Sequence, residues 1–430
     1  MRRDALWTSV ATLLSVSAQL GIMLWLSQSG NLNLIGQLAI LAIVLGFAGY
    51  LQDLGIANFI ISEPDLSKSQ KSQLFYLTLT LAAASACILT MAAPFIAKFY
   101  QEQSLVLYLQ MIAIQIFIQG FGNQPQAILI RHHKLQNLAA IDIISRVVML
   151  ISFIALQQYS SGIMAFVLAN LIFTLLRTAL LLQHCWHEIF LHPGPVECAF
   201  LRRAIRYGLF QSGSQIIGYF RHRLDQLILG KMMGLENLGQ YSMAREITQQ
   251  PFKVLNPVIT RLFLPRFTSH STQQLRLERA LQLSLRSHLI AFSALALFCV
   301  SSLKYILPAQ FSDVSLLVIA LLPYAVLKAP GMVFAVQAQS TANVHREFYW
   351  NLWSSLVTIP LLIVIAAQDS LLTVALILSL WQTLMTFAAL RYFVDSQEHR
   401  AHCNPLIIRF TAGSWSCCLL LIFLLTMAPV

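Results

Sequence analysis

Apolar stretches long enough to cross a bilayer follow one another from one end of this 430-residue chain to the other. A span takes about 20 predominantly apolar residues in an α-helix. In hydrocarbon, a helix satisfies its own backbone N–H and C=O groups, which is why it is the expected form. By that measure thirteen spans are expected, at 6–28, 33–62, 74–97, 104–130, 138–157, 162–183, 207–230, 236–263, 285–303, 313–338, 347–368, 370–392 and 407–428. Composition agrees. Hydrophobic residues make up 57% of the chain and charged ones 10%, and mean hydropathy is +0.68. A water-soluble domain carries about 25% charged residues. An ordinary cytosolic enzyme, a disordered chain, a coiled coil and a collagen-like chain are therefore excluded. The first run follows Met1-Arg2-Arg3-Asp4 with no small-residue cleavage site leading into a soluble mature chain, so it reads as a span.

The formal net charge is +11. In a soluble protein that would suggest nucleic acid. In a membrane protein it reflects bases gathered on the cytoplasmic side, and no nucleic-acid partner is expected. With the N-terminus inside, eighteen lysines and arginines fall in inner segments and span ends, against Lys98, Lys231 and Lys304 outside. The outer loops are short, as at Gln158-Tyr159-Ser160-Ser161. Longer inner stretches at 184–206 and 264–284 look like amphipathic surface helices. No loop is large enough for a catalytic domain, and no nucleophile–base or metal constellation is visible. No catalytic residue, metal or cofactor is expected. The seven cysteines are odd in number and form no CxxC, so they read as free thiols.

The chain repeats itself weakly. Asn33-Leu34-Ile35-Gly36-Gln37 opens the second span, and Glu236-Asn237-Leu238-Gly239-Gln240 opens the eighth. Each Gly-Gln pair follows a short outer loop after the first span of a six-span block. The expected fold is an all-α polytopic membrane protein. It has two six-helix bundles, related as parallel repeats by an axis along the membrane normal, around a central cavity, and one extra C-terminal hydrophobic helix. The expected boundaries are an N-terminal bundle over 1–184, a cytoplasmic linker with an amphipathic helix over 185–206, a C-terminal bundle over 207–393 and a tail over 394–430.

Seven bases remain inside spans, namely Arg146, Arg177, Arg221, Arg223, Arg245, Lys253 and Lys328, against the acids Asp53, Asp142, Asp225 and Glu246. Ionised groups are expensive in lipid, so these should face protein or water. Helical phase places many of them on polar stripes. The seventh span aligns Gln211, Ser214, Gln215, Gly218, His222 and Asp225, with Arg221 on the edge. The eighth aligns Ser242, Arg245, Glu246, Gln249, Lys253, Asn256 and Thr260. The fourth aligns Gln115, Gln119, Asn123 and Gln126, and the second Gly46, Tyr50 and Asp53. Helix–helix hydrogen bonding uses the same residue types, but several stripes together describe a shared hydrophilic cavity. Spacing of four pairs Asp142 with Arg146 and Arg221 with Asp225, and Arg177, near an inner end, can snorkel. Arg245, Lys253 and Lys328 are left as the better anion-binding candidates. Any one of them could equally serve a salt bridge. Asp53, Asp225 and Glu246 are candidates for a coupling H+ or Na+, with an ion-pair role as the plainer alternative. Pro251, Pro257, Pro323 and Pro330 interrupt the eighth and tenth spans, where proline kinks a helix.

Tyr207-Gly208-Leu209-Phe210-Gln211, Arg223-Leu224-Asp225-Gln226-Leu227-Ile228-Leu229-Gly230 and Leu238-Gly239-Gln240-Tyr241 resemble polysaccharide-export flippases of the colanic-acid/O-antigen type. So do Gln250-Pro251, Asn256-Pro257, Leu264-Pro265-Arg266-Phe267, Leu51-Gln52-Asp53-Leu54-Gly55-Ile56 and Gly122-Asn123-Gln124-Pro125. The similarity runs over about residues 5–395 and is most specific over 207–267. It implies the multidrug/oligosaccharidyl-lipid/polysaccharide exporter superfamily, with two six-helix bundles around a cavity. The implied cargo is an undecaprenyl-pyrophosphate-linked oligosaccharide, moved from the inner to the outer leaflet of a bacterial inner membrane. The departure from the family pattern is the extra span at 407–428.

The expected mechanism is alternating access among membrane lipids. Arg245, Lys253, Lys328, Arg223 and Arg221 would hold phosphate or acidic sugars, and Gln115, Gln119, Gln211 and Gln249 would contact hydroxyls. A cation-coupled multidrug exporter would instead want a cavity rich in acids and aromatics, which the excess of bases disfavours. A membrane-embedded enzyme acting on lipid-linked sugar would want catalytic acids or histidines in outer loops, and none are seen.

Overall fold

The computed structural model describes residues 2–63, 66–160, 162–189, 197–267, 273–303, 307–308, 311–340, 344–368, 370–394 and 397–427. All regular structure in them is helical. In chain order the helices are α1 (Arg2–Ser27), α2 (Leu32–Asp53), α3 (Ile56–Ser62), α4 (Lys68–Tyr100), α5 (Leu105–Arg131), α6 (Leu135–Leu156), α7 (Gly162–Ile189), α8 (Cys198–Arg221), α9 (Leu224–Met232) and α10 (Gly234–Phe267). They continue with α11 (Gln273–Phe298, running on into a π-turn at Cys299–Leu303), α12 (Ser312–Ala320), α13 (Leu322–Ser340), α14 (Val344–Ala366), α15 (Leu371–Phe393) and α16 (Gln397–Met427).

Among the described residues, eleven spans are long and apolar enough to cross a membrane. The other two expected spans, 207–230 and 236–263, fall on α8–α9 and on α10. These are helical, but their charges and polar stripes take them below the apolarity of a lipid-facing span. Elsewhere the surface is apolar. Phe95 is 76% exposed, Met91 74% and Ile290 70%, the inverse of a water-soluble surface and suited to contact with lipid chains.

Three apolar runs that read as single spans are broken. The run 33–62 breaks at Leu54 and Gly55, which take φ of 42° and 70°. Asp53 Oδ1 accepts the Ala57 N–H at 3.1 Å and so receives one of the unpaired donors that start α3. The run 207–230 breaks at His222-Arg223, between α8 and α9. The run 313–338 is interrupted at Leu321, because Pro323 has no N–H to give the carbonyl four residues back; the Leu321 and Ala325 N–H groups still bond to the Leu317 and Leu321 carbonyls, so 313–335 stays one span. Pro251 and Pro257 lie within a continuous α10, and Pro330 within α13. Residues 184–189 continue α7 and 198–206 open α8; 190–196 lie outside the described residues. At 264–284, α10 runs to Phe267 and α11 begins at Gln273, with 268–272 outside the described residues.

The chain divides into two compact units. Unit 1 comprises Met1–Met23 with Gln37–Arg223, and unit 2 comprises Leu24–Gly36 with Leu224–Val430. The core of unit 1 is built by Ile56, Phe59, Ile60, Leu74, Phe75, Ile128, Ile141, Leu181 and Phe200. Unit 2 closes around Leu281, Leu285, Phe292, Leu322, Val326, Phe334 and Leu390. The C-terminal α16 belongs to that core through Cys403, Ile407, Cys418 and Leu421, and Trp415 Nε1 donates to Thr383 Oγ1 of α15 at 3.2 Å.

The repeated Gly-Gln pair has a structural meaning inside unit 2. A Cβ on Gly36 would collide with the Leu235 carbonyl, and one on Gly239 with the Leu32 carbonyl. Each carbonyl lies four residues before the opposite glycine. The first turns of α2 and α10 therefore meet backbone to backbone, in a contact that reads the same from either helix.

Candidate functional site

Unit 2 concentrates ionised side chains on α9, α10 and α13. Helices α9 and α10 form a hairpin around Met233-Gly234, with Gly234 at φ 83°, a left-handed conformation that a Cβ would strain. Asp225 and Tyr241 stand equally far from Met233 in sequence, and Gln226 and Ser242 equally far from Gly234. The hairpin brings both pairs together. Tyr241 donates its hydroxyl to Asp225 Oδ2 at 2.6 Å, and Gln226 Nε2 donates to Ser242 Oγ at 3.0 Å. One turn beyond Tyr241, Arg245 donates to the same Asp225 oxygen. The side chains of Arg245 and Asp225 are 3% and 9% exposed, so this is an ion pair sealed in protein. Each charge answers the desolvation penalty of the other.

The next turns of α10 carry a second pair. Lys253 Nζ donates to Glu246 Oε1 at 2.6 Å, and Gln250 Nε2 donates to the same oxygen at 2.8 Å. Lys253 keeps 33% of its side-chain surface exposed, and Gln249 is half-buried. On α13, Lys328 Nζ lies 5.9 Å from the Phe252 ring and 5.7 Å from the Tyr324 ring, within cation–π range. Of the expected anion-binding residues in this unit, Arg245 is committed to a buried carboxylate. Lys253 and Lys328 are the more accessible.

The remaining candidates lie in unit 1. On α5, Gln115 is buried and Gln119 half-buried. Arg221 ends α8. Arg223 lies in the turn after it, its guanidinium 6.0 Å from the Tyr219 ring, and Tyr219 donates its hydroxyl to the Ile43 carbonyl at 2.8 Å. Gln211 lies on α8, and its side chain is outside the described residues. Asp53, expected as an ion-coupling acid, holds the start of α3.

Two local pairings suggested by spacing need correction. Asp142 is bonded to Arg177 of α7 at 2.7 Å, and Arg177 Nη2 donates to Gln126 of α5 at 3.1 Å; Arg177 is a cross-helix partner, and snorkelling is not its role. Asp225 is held by Arg245 and Tyr241. The i, i+4 rule ranks neighbours on one helix surface. A buried carboxylate takes the best-directed donor from any helix. Tyr241 was missed because a tyrosine in an apolar run looks like core. Its equal spacing from the Met233 turn was the available signal.

Eleven spans long and apolar enough to cross a membrane, with one ion pair sealed between helices, define a multi-pass membrane protein. Residues 34–313 match the family described as polysaccharide biosynthesis protein, and the chain belongs to that family. It is 27% identical over 351 residues to the amylovoran biosynthesis protein AmsL of Erwinia amylovora, covering 79% of this chain and 88% of that one. It is 23% identical over 397 residues to the lipopolysaccharide biosynthesis protein WzxC of Escherichia coli, covering 91% and 80%. Among solved structures, the lipid II flippase MurJ in an inward closed conformation matches with a TM-score of 0.76 at 12% identity, over 99% of this chain and 98% of that one. An inward-facing multidrug resistance MATE family transporter of the MOP superfamily matches with a TM-score of 0.68 at 14% identity, over 99% and 100%. At such identities these two establish the shared fold alone.

Proposed function

We propose that this chain carries a lipid-linked oligosaccharide, with an undecaprenyl-pyrophosphate anchor, from the inner to the outer leaflet of a bacterial inner membrane. Its N-terminus would be cytoplasmic and its cycle alternating access. Family membership supports this reading, as do relatives named for amylovoran and lipopolysaccharide biosynthesis and a fold shared with a lipid II flippase. The observation that carries it is the chemistry of α10 and α13. A helix of unit 2 holds Arg245 and Lys253 within a membrane domain, and Lys328 stands among aromatic rings. Such groups suit a phosphate or an acidic sugar.

In this proposal Lys253 and Lys328 contact the phosphates. Arg223 and Arg221 add positive charge, and Arg245 acts where its pair with Asp225 parts. Gln115, Gln119, Gln211 and Gln249 take the sugar hydroxyls, while the lipid tail stays among membrane lipids. Asp225, Glu246 and Asp53 are the groups through which H+ or Na+ would couple the cycle. No covalent step is involved. The test is complementation of glycan export by Lys253→Ala and Lys328→Ala at wild-type membrane levels. A charge-assisted contact is worth about 1.5–3 kcal/mol, so each should lower export by roughly tenfold or more. Undiminished export in both would refute the anion-binding role.

A further inference from the structure

Of the polar stripe on α2, the proposed transport uses only Asp53. Gly46 and Tyr50 remain, and in unit 1 both are met by α8. A Cβ on Gly46 would collide with Tyr219 Oη and Cζ. The missing side chain leaves a notch, and the edge of the Tyr219 ring fills it, with the hydroxyl donating to the Ile43 carbonyl at 2.8 Å. Tyr50, one turn further along α2, meets the same ring, with centroids 5.4 Å apart and planes inclined by 59°. The Phe47 and Phe220 rings pack at 4.9 Å on the same pair of helices. Two tyrosine rings are thereby fixed in a corner between α2 and α8.

The corner has a polar side. Tyr50 is half-buried, and its hydroxyl, which no described residue binds, is not sealed from the surface. The Arg223 guanidinium stands 6.0 Å from the Tyr219 ring. His222 is exposed, and Asp53 lies one turn beyond Tyr50. Ionised and strongly polar groups in a membrane domain face water or protein and avoid lipid. The corner is therefore wet, while its walls are aromatic.

A pyranose matches that combination. Its ring presents C–H groups on a face and hydroxyls around the rim. The face of an aromatic ring is electron-rich and attracts the C–H side, and tyrosine adds a polar tip within reach of the rim. Since the notch already holds Tyr219, little ordering remains to be done on binding.

We infer that Tyr50, braced by Tyr219 in the Gly46 notch, is a sugar-stacking residue. The corner takes one pyranose ring, with Arg223 beside it for a neighbouring acidic group. Assigning that ring to the cargo rests on the proposed transport.

The test uses the purified full chain in a polyoxyethylene detergent, which carries no sugar. It is titrated with methyl β-D-glucopyranoside, methyl β-D-galactopyranoside and methyl α-D-mannopyranoside, and with sorbitol, which has the hydroxyls but no ring face. Saturation-transfer NMR, with the aromatic protons irradiated, reads which ligand protons touch the protein's rings. Saturable transfer to the ring C–H protons of at least one glycoside, beyond that to sorbitol, is expected. Tyr50→Leu keeps apolar bulk but removes the aromatic face, and should raise the half-saturating concentration about fivefold. Tyr50→Phe restores the face and should recover most of that loss. The inference is overturned if no glycoside exceeds sorbitol in the wild type, or if Tyr50→Leu saturates as the wild type does. Should Tyr50→Leu not fold, Tyr50→Met is read in the same way. Glycan export in complementation separates the two readings. Export that Tyr50→Leu leaves undiminished at wild-type membrane levels overturns the stacking role and leaves transport standing. Tyr50-dependent sugar binding in a protein that exports no glycan leaves the corner standing and removes the transport reading.

Discussion

Asp225→Asn should be the most damaging single-atom change in unit 2. The carboxylate accepts from both Arg245 and Tyr241, and the paired side chains are 3% and 9% exposed, so solvent screens the pair little. Removing one member of a buried pair strands the other and costs about 3–5 kcal/mol. Tyr241→Phe removes one hydrogen bond to a charged acceptor, about 1.5–3 kcal/mol. Replacing both charges by apolar residues of similar size, as in Asp225→Leu with Arg245→Met, leaves no stranded ion and should fall near the wild type. Each single variant and the double can be measured by reversible denaturant unfolding in detergent micelles. The account expects large single losses and a double mutant more stable than either single, a strongly non-additive cycle. Additive losses would show that the two side chains do not neutralise each other, and the sealed pair would be wrong.

The helix crossing makes a contrast. Gly239→Val and Gly36→Val press a side chain into a facing carbonyl and should each destabilise by about 1–3 kcal/mol. Gly21→Ala, with nothing within 4 Å, should stabilise by about 0.5–1 kcal/mol through helix propensity; thermal unfolding ranks the three. Ser67 and Gln70 form a reciprocal capping box at the start of α4, with both bonds at 3.1 Å. Ser67→Ala should lose about 1 kcal/mol, read by faster amide exchange in the first turn of α4. The Lys253–Glu246 pair is less deeply buried, its side chains 33% and 13% exposed, so Glu246→Gln should cost less stability than Asp225→Asn, as the same unfolding measurement would show.

What could be read from the residues followed from local physics. Apolar length located the helices, because a bilayer imposes a fixed crossing distance. The Gly-Gln repeat marked a real contact, because only glycine lets two backbones approach so closely. The breaks at Leu54-Gly55 and Leu321 were hidden, because apolar runs continue on both sides of them; the break at His222-Arg223 was hidden because its polar residues fit the stripe of a single helix. The ion pairs were hidden for a different reason. Spacing reveals neighbours on one helix, whereas Asp142 found Arg177 across helices and Asp225 found Arg245 around a hairpin.

The proposed transport is tested most directly in proteoliposomes carrying an undecaprenyl-pyrophosphate-linked oligosaccharide in one leaflet. Arrival of the sugar in the other leaflet is scored by a membrane-impermeant lectin. The account predicts protein-dependent translocation that Lys253→Ala and Lys328→Ala slow markedly. A sugar that crosses no faster than in protein-free vesicles, with folded protein present, would contradict it.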